Sequence, residues 1–278
     1  TAFIGRLGPD ETGDSLVKLL ASRGVDLAGL QRDETRPTRI VLVRRQTDGE
    51  RVFQGFASDR GQGFSDQALD CSQLKGCWSR LAAEAEWLLV GTIPLASSAS
   101  AESLLWSLDQ SKTAGMRIAL DVNWRPTFWD VNREPHAGPD TRALRAMEPL
   151  VAAASLLKMT KEEALWLFGT DDPGAISAVL PQAPDVVVTN GGNPLHWHFA
   201  GKSGLLEVLA PSQIVDTTGA GDAFSAGILH QLVQKTTSNH DYEQIIRFAA
   251  ACGALVCCGA GAIDPQPDSD AVQMFLKD

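Results

Sequence analysis

The run Val215-Asp216-Thr217-Thr218-Gly219-Ala220-Gly221-Asp222-Ala223-Phe224-Ser225-Ala226-Gly227 decides how this chain is read. It holds three glycines, two threonines and two aspartates, and an apolar-periodic set, Phe224, Ile228, Leu229 and Leu232, continues from it. The spacing predicts a strand ending near Val215, a tight glycine turn and a helix starting near Ala220. Gly219 and Gly221 have no Cβ, so the turn can take positive φ and a ligand can approach the backbone. The first N–H groups of a helix lack intrahelical partners and point outward at the positive end of the dipole. That arrangement suits phosphate, and Asp222 sits in the same first turn. The same residues also fit a plain capped helix, with Thr217 or Thr218 as N-cap and an Asp favoured by the dipole.

Composition bounds the rest. The 278 residues suffice for one large α/β domain or two small ones, and the net charge is −10. That charge argues against a nucleic-acid backbone or an anionic membrane surface as partner. An anionic substrate then needs a local cluster of donors. No apolar run of about 18 residues is present, nor a signal peptide. The five cysteines, Cys71, Cys77, Cys252, Cys257 and Cys258, lack zinc-site spacing and read as reduced core thiols of an intracellular protein.

Taken in order, Thr1 to Gly8 reads as a buried strand, strand-like from its first residue, as in a chain cut within a domain. A helix opening in Gly8-Pro9-Asp10-Glu11-Thr12-Gly13 closes at Arg23-Gly24. Residues 39–43 and 51–56 flank Asp48-Gly49, a type I′ hairpin signal. Glu86 to Gly91 reads as a central strand, Ser97 to Lys112 as a helix, and Arg117 to Asp121 as a buried strand. Strands alternating with helices mean a mostly parallel sheet, in which ligands bind beyond the carboxyl ends of the strands. Asp121, Asn123 and Arg125 stand at such an end, and would point one way if the strand continued. Arg125 there suits a bidentate phosphate clamp or a surface ion pair. Thr160 with Glu163 three residues on forms a capping-box pattern after the Leu156-Leu157-Lys158-Met159 strand. Asp185 to Gly192 is a strand running into a glycine turn, and His196-Trp197-His198 an alternating strand face. Gly201-Lys202-Ser203 fails as a P-loop because His196 occupies its first Gly position, and Gly259-Ala260-Gly261 lacks the third Gly of a dinucleotide fingerprint. Ile245 to Cys258 reads as a helix of small residues able to pack closely, beside an adenine for instance.

Asp216 to Asp222 resembles the second signature of the PfkB (ribokinase-like) sugar kinases, Asp-Thr-x-Gly-Ala-Gly-Asp, at each fixed position. The resemblance extends from Phe3 to about Pro267. The Phe3–Gly13 segment is similar to the family's Ile-Gly-x-x-Gly-x-Asp-x-x-Gly. Asp121-Val122-Asn123-Trp124-Arg125-Pro126-Thr127-Phe128-Trp129 resembles the run of fructokinases and 2-keto-3-deoxygluconate kinases. Thr189-Asn190-Gly191 matches Thr-x-Gly, with Pro194 where the family has a further Gly. Glu163 matches the Glu of Asn-x-x-Glu, with Thr160 in place of Asn. The ending Gly259-Ala260-Gly261-Ala262-Ile263 with Pro265 is like the family's Gly-Ala-x-x-x-Pro.

The resemblance implies one domain over 1–278, a three-layer α/β/α sandwich with a mostly parallel sheet and a β-hairpin lid at about 38–57. It implies ATP and Mg²⁺ as ligands, with K⁺ or a similar monovalent cation. In this scheme Asp222 accepts the proton of a sugar hydroxyl, while Gly219, Ala220 and Gly221 donate N–H groups to the transferring phosphoryl. Arg125 and Asn123 position phosphate and sugar. Lys158, Thr189 and Gly191 join Asn123 in binding the nucleotide. Glu163 stands behind the Mg²⁺ water shell, equally readable as a cap, and Asp216 helps hold the monovalent cation. Fructose is the expected sugar, from the entry at Pro37-Thr38, the hairpin and the 125–129 run. Ketodeoxygluconate is the alternative, weakened by the single tyrosine, Tyr242. A catalytically silent scaffold is the other, weakened by the intact Gly-Ala-Gly-Asp and Arg125. Relatives place a first strand, a sugar-contacting Asp and a Gly-Gly motif ahead of the position of Thr1. This piece is therefore expected to lack part of its sugar site. A cytoplasmic or plastid-stromal protein, monomeric or dimeric through lid edges, completes the expectation.

Overall fold

The computed structural model describes residues 1–45, 51–59, 61–234 and 241–277. The chain divides into two compact units, Thr1–Leu42 with Gln54–Leu156, and Val43–Phe53 with Leu157–Asp278.

The first unit opens with β1 (Ala2–Leu7), α1 (Glu11–Ser22) and β2 (Asp26–Arg32). β1 and β2 pair in parallel, Gly5 opposite Leu30 and Arg6 opposite Gln31. α1 starts where the Asp10 carboxylate accepts the N–H of Gly13 at 2.8 Å, and ends at Arg23 before Gly24. β3 (Ile40–Arg45) and β4 (Arg51–Ala57) form a separate two-stranded sheet. The Asp48-Gly49 turn between them lies outside the described residues. Then follow α2 (Cys71–Ala82), β5 (Trp87–Gly91), α3 (Ser98–Thr113), β6 (Arg117–Asp121), the single turn α4 (Pro126–Trp129) and α5 (Thr141–Ala153). β5 and β6 pair in parallel from Trp87–Arg117 to Gly91–Asp121.

Two burial expectations need correction. β1 is exposed at Ala2 and Phe3 and buried only at Leu7, and Leu89 in the middle of β5 is 48% exposed. Each strand pairs on one side only among the described residues and so stands at a sheet edge, where fewer neighbours cover its side chains. α3 departs from the usual apolar stripe as well. Its buried positions include Ser100, Ser103, Ser107 and Ser111. Ser100 Oγ donates to Asp66 O and Ser103 Oγ to Leu69 O, both at 2.7 Å. Short hydroxyls let the 65–69 segment lie close and satisfy its carbonyls at once.

The second unit runs β7 (Leu156–Thr160), α6 (Lys161–Phe168), α7 (Pro173–Val179), β8 (Asp185–Asn190), β9 (Asn193–Phe199), β10 (Lys202–Leu206), α8 (Ala220–Gln234), α9 (Tyr242–Val256) and α10 (Ser269–Phe275). β7 neighbours β8, and β8, β9 and β10 form an antiparallel meander. No strand ends near Val215, contrary to expectation. That residue is in a loop, and its N–H donates to Cys257 O at 2.8 Å. α9 begins earlier than the apolar pattern, because Asp241 caps it through Gln244 N.

α8 and α9 pack closely, as the small residues predicted. A Cβ at Gly227 would lie 2.9 Å from Ala249 Cα, and one at Gly253 would lie 3.1 Å from Ala220 O. Ala223, Phe248, Ala251, Cys252, Val256 and Val272 make the core there. The five cysteines are free thiols. Burial pushes the Cys252 thiol up to about 11, the behaviour of an inert core residue. No helix among the described residues is long and apolar enough to cross a membrane.

Candidate active site

In the second unit, the glycine loop is held from below. Asp216, 6% exposed, accepts from Thr218 N at 2.9 Å and Thr218 Oγ1 at 2.5 Å through one oxygen. Its other oxygen accepts the N–H of Gly261 at 3.0 Å. The carboxylate thus ties two loops together. The chain then turns at Gly219, whose φ is +83°, a conformation L side chains resist. A Cβ at 219 would also lie 2.8 Å from Ala262 Cβ and 3.0 Å from Ala262 Cα. The 259–262 run, dismissed from sequence as a dinucleotide fingerprint, is therefore the floor of this loop. Its density of small residues was the available signal.

α8 starts at Ala220 as the spacing predicted. Gly219 O accepts the N–H of Ala223 at 2.8 Å, and the N–H of Ala220 turns back to Thr217 O at 3.3 Å. Among the described residues the N–H groups of Gly221 and Asp222 have no protein acceptor, and both residues are exposed. Gly221 does not share the positive φ of Gly219. Its requirement is space instead. A Cβ there would lie 2.8 Å from Lys158 Nζ. Lys158 is the third residue of β7 and only 7% exposed. The structure therefore seats a cation against the first turn of α8, beside two outward N–H donors and the Asp222 carboxylate. An anion of phosphate type fits such a set of donors.

β7 passes into α6 through the capping box. Thr160 Oγ1 accepts Glu163 N at 3.2 Å, and Glu163 Oε2 accepts Thr160 N at 2.8 Å. Glu163 is 4% exposed, so the cap holds one of its oxygens in place. On the neighbouring strand, Thr189 Oγ1 donates to Met159 O at 3.3 Å. The hydroxyl thereby fastens β8 beside Lys158. Gly191, φ +59° and exposed, forms the β8–β9 turn, and Pro194 lies inside β9.

In the first unit, Asn123 and Arg125 follow β6. The alternation expected beyond Asp121 does not occur. β6 stops there, and Asn123 takes φ +44°, so the backbone turns and the period of two is lost. Arg125 is the N-terminal flanking residue of α4, exposed, with Nη1 donating to Trp124 O at 2.8 Å. Val122 and Trp124 are buried and anchor the segment. Thr92 Oγ1 secures it further by donating to Val122 O at 2.6 Å.

Among the described residues no group of three or more His, Cys, Asp or Glu could cage a metal. A Mg²⁺ held by one carboxylate, water and phosphate oxygens needs no such cage.

Residues 1–269 match the pfkB family carbohydrate kinase profile. The chain is 31% identical over 288 residues to a probable fructokinase-7 of Arabidopsis thaliana, covering 100% of this chain and 78% of that protein. It is similar to the solved structure of a double-mutant fructokinase from Vibrio cholerae O395 in a fructose-, ADP- and potassium-bound form. There the TM-score is 0.79 at 26% identity, over 99% of this chain and 84% of that one. A putative ribokinase II from E. coli gives a TM-score of 0.83 at 20% identity, over 99% and 83%. The fold is accordingly ribokinase-like α/β, with a mostly parallel central sheet and helices. With the glycine loop heading α8 and the profile matched from residue 1 to residue 269, the chain belongs to the pfkB family of carbohydrate kinases.

Proposed function

We propose that the chain transfers the γ-phosphoryl group of ATP to a hydroxyl of fructose, giving fructose 6-phosphate and ADP. The observation that carries this reading is the head of α8. Two outward N–H groups, the Asp222 carboxylate and the buried Lys158 ammonium converge on one turn. Fructose as acceptor is supported by the fructokinase names of its relatives and by the fructose and ADP in the Vibrio structure.

Asp222 takes the proton of the attacking hydroxyl as the new O–P bond forms and the bond to the β-phosphate oxygen breaks. The outward N–H groups of Gly221 and Asp222 receive the negative charge of the transferring group, whereas that of Ala220, expected from sequence to join them, is turned back to Thr217 O. In a loose transition state such positioning outweighs strong proton abstraction. Lys158 balances phosphate charge from β7. Arg125 clamps phosphate and Asn123 orients the acceptor. Thr189 and Gly191 border the nucleotide. A bound Mg²⁺ would supply further charge neutralisation, and Glu163 would help to hold it through water. Asp216 shapes the site of a monovalent cation, and potassium in the Vibrio structure supports that role. The exposed Val41, Leu42 and Val43 of β3 support a homodimer through the hairpin edge. The cytoplasm, or a plastid stroma, is the proposed compartment.

The test is ADP release with Mg²⁺ against fructose, ribose, ketodeoxygluconate and adenosine, using wild type and Asp222→Asn. Fructose-dependent turnover is expected of the full-length protein, in which the sugar site is whole. Asp222→Asn should keep ATP affinity and lose roughly 10²- to 10⁴-fold in kcat. Undiminished turnover in that variant refutes the assignment of Asp222.

A further inference from the structure

Arg39, just before β3, is a nearly buried cation whose side chain is only 9% exposed. Its guanidinium carbon lies 4.8 Å from the ring centroid of Phe56, 4.6 Å from that of Phe64 and 4.6 Å from that of Phe128. Phe56 meets the other two rings edge to face, at 5.7 and 4.9 Å. The Asp66 carboxylate accepts from Nε at 3.2 and 3.1 Å and pairs with Nη2 at 3.0 Å. One planar cation thereby joins β4, the 64–66 segment and α4. A guanidinium suits this place because it stacks on rings through its faces while donating in plane from its edge.

α4 needs such help. It is a four-residue turn, too short to be stable by itself. Its own bonds, Phe128 N to Arg125 O and Asp130 N to Pro126 O, are both 3.0 Å. The direction of α4 is therefore set by what its aromatic residues pack on. Trp129 packs on Trp124 with centroids 5.5 Å apart, and Phe128 packs on Arg39 and Phe56. Arg125 flanks the same turn.

We propose that Arg39 is a positioning residue, whose planar guanidinium seated among Phe56, Phe64 and Phe128 fixes the α4 turn and so the direction in which Arg125 is presented. The inference rests on the role proposed above for Arg125. Lysine cannot replace it, since an ammonium offers neither a stacking plane nor a fork for Asp66.

A mutant cycle tests this. Fructose kcat/KM and ATP KM are measured for wild type, Arg39→Met, Arg125→Ala and the double variant, with Arg39→Lys alongside. Arg39→Met and Arg39→Lys are each expected to lower fructose kcat/KM by roughly 10- to 100-fold, the cost of a misplacement near 1 Å. ATP KM should rise in the Arg39 variants no further than it does in Arg125→Ala, since Arg125 is the group proposed to clamp phosphate. In the Arg125→Ala background the same change should cost less than about twofold, because residues acting through one another are not additive. An equal loss in both backgrounds, or full activity in Arg39→Lys, overturns the proposal. If Arg125→Ala itself leaves kcat/KM unchanged, the role of Arg125 fails instead. Should Arg39→Met fail to fold, the Arg39→Lys pair gives the same cycle.

Discussion

Gly221→Ala separates chemistry from stability at the head of α8. Among the described residues, and apart from its chain neighbours and its own helix backbone, only Lys158 Nζ lies within 4 Å of the new methyl, at 2.8 Å. Ordinary contact begins at 3.4 Å, so the ammonium must withdraw by at least about 0.6 Å. The backbone at 221 is helical rather than left-handed, so the substitution brings no φ strain. Alanine in place of glycine instead raises helix propensity, by up to about 1 kcal/mol. Folding stability should therefore hold or rise, with Tm unchanged or higher by about 2–4 °C. A displaced charge near a transferring phosphoryl should lower kcat by roughly 10- to 100-fold, about 1.4–2.7 kcal/mol. Gly219→Ala is the contrast. It meets φ +83° and the fixed backbone of Ala262, and should destabilise the fold by about 1–3 kcal/mol. Thermal unfolding paired with steady-state ADP release reads both. Wild-type kcat in Gly221→Ala would refute the placing of Lys158 at the reacting phosphate. A Tm loss equal to that of Gly219→Ala would refute the packing argument.

Other outcomes follow from the same contacts. Asp216→Asn turns an amide toward either the Gly261 or the Thr218 donors, leaving a buried group unpaired. It should cost about 1–3 kcal/mol in urea unfolding and, with it, the stimulation of turnover by K⁺. Thr160→Ala removes one half of the capping box. It should cost about 1 kcal/mol in urea unfolding, while Glu163 Oε2 keeps the backbone N–H of residue 160, so the Mg²⁺ needed for half-maximal rate should stay within about twofold; a larger rise would refute this separation of cap from carboxylate. Burial works to raise the pKa of Asp33. The N–H groups of Arg36 and Thr35 and the Arg6 guanidinium outweigh it and hold the carboxyl at about 2. With the folded value below the ordinary 3.8, the stabilisation is present above about pH 4 and is lost as pH falls through 2. Between pH 5 and 2 the wild type should lose about 2 kcal/mol more than Asp33→Asn. Parallel acid-unfolding curves would remove Asp33 from the account.

Local patterns carried much of this protein in its sequence. The apolar period after Gly219 located the start of α8. Asp10 and Thr160 each cap the helix that follows them. A helix begins where a short side chain can satisfy its first N–H groups, and that depends on neighbours three residues away. The seven-residue match from Asp216 to Asp222, a short-range pattern, was enough to imply the family. The alternation through Asp121, Asn123 and Arg125 misled, because the turn at Asn123 depends on buried neighbours that a period cannot show.

What only the tertiary structure decided concerns contacts between distant segments. From sequence, Gly219 and Gly221 looked equivalent. In the fold, one is required by a positive φ over Ala262, the other by Lys158, 63 residues earlier. Asp216 turned out to hold Gly261 across 45 residues, and Arg39 to gather rings from three other segments. Backbone propensity and capping act over a few residues and are written in order along the chain. Burial of a charge, and the partner that makes it tolerable, depend on which segments the completed fold brings together.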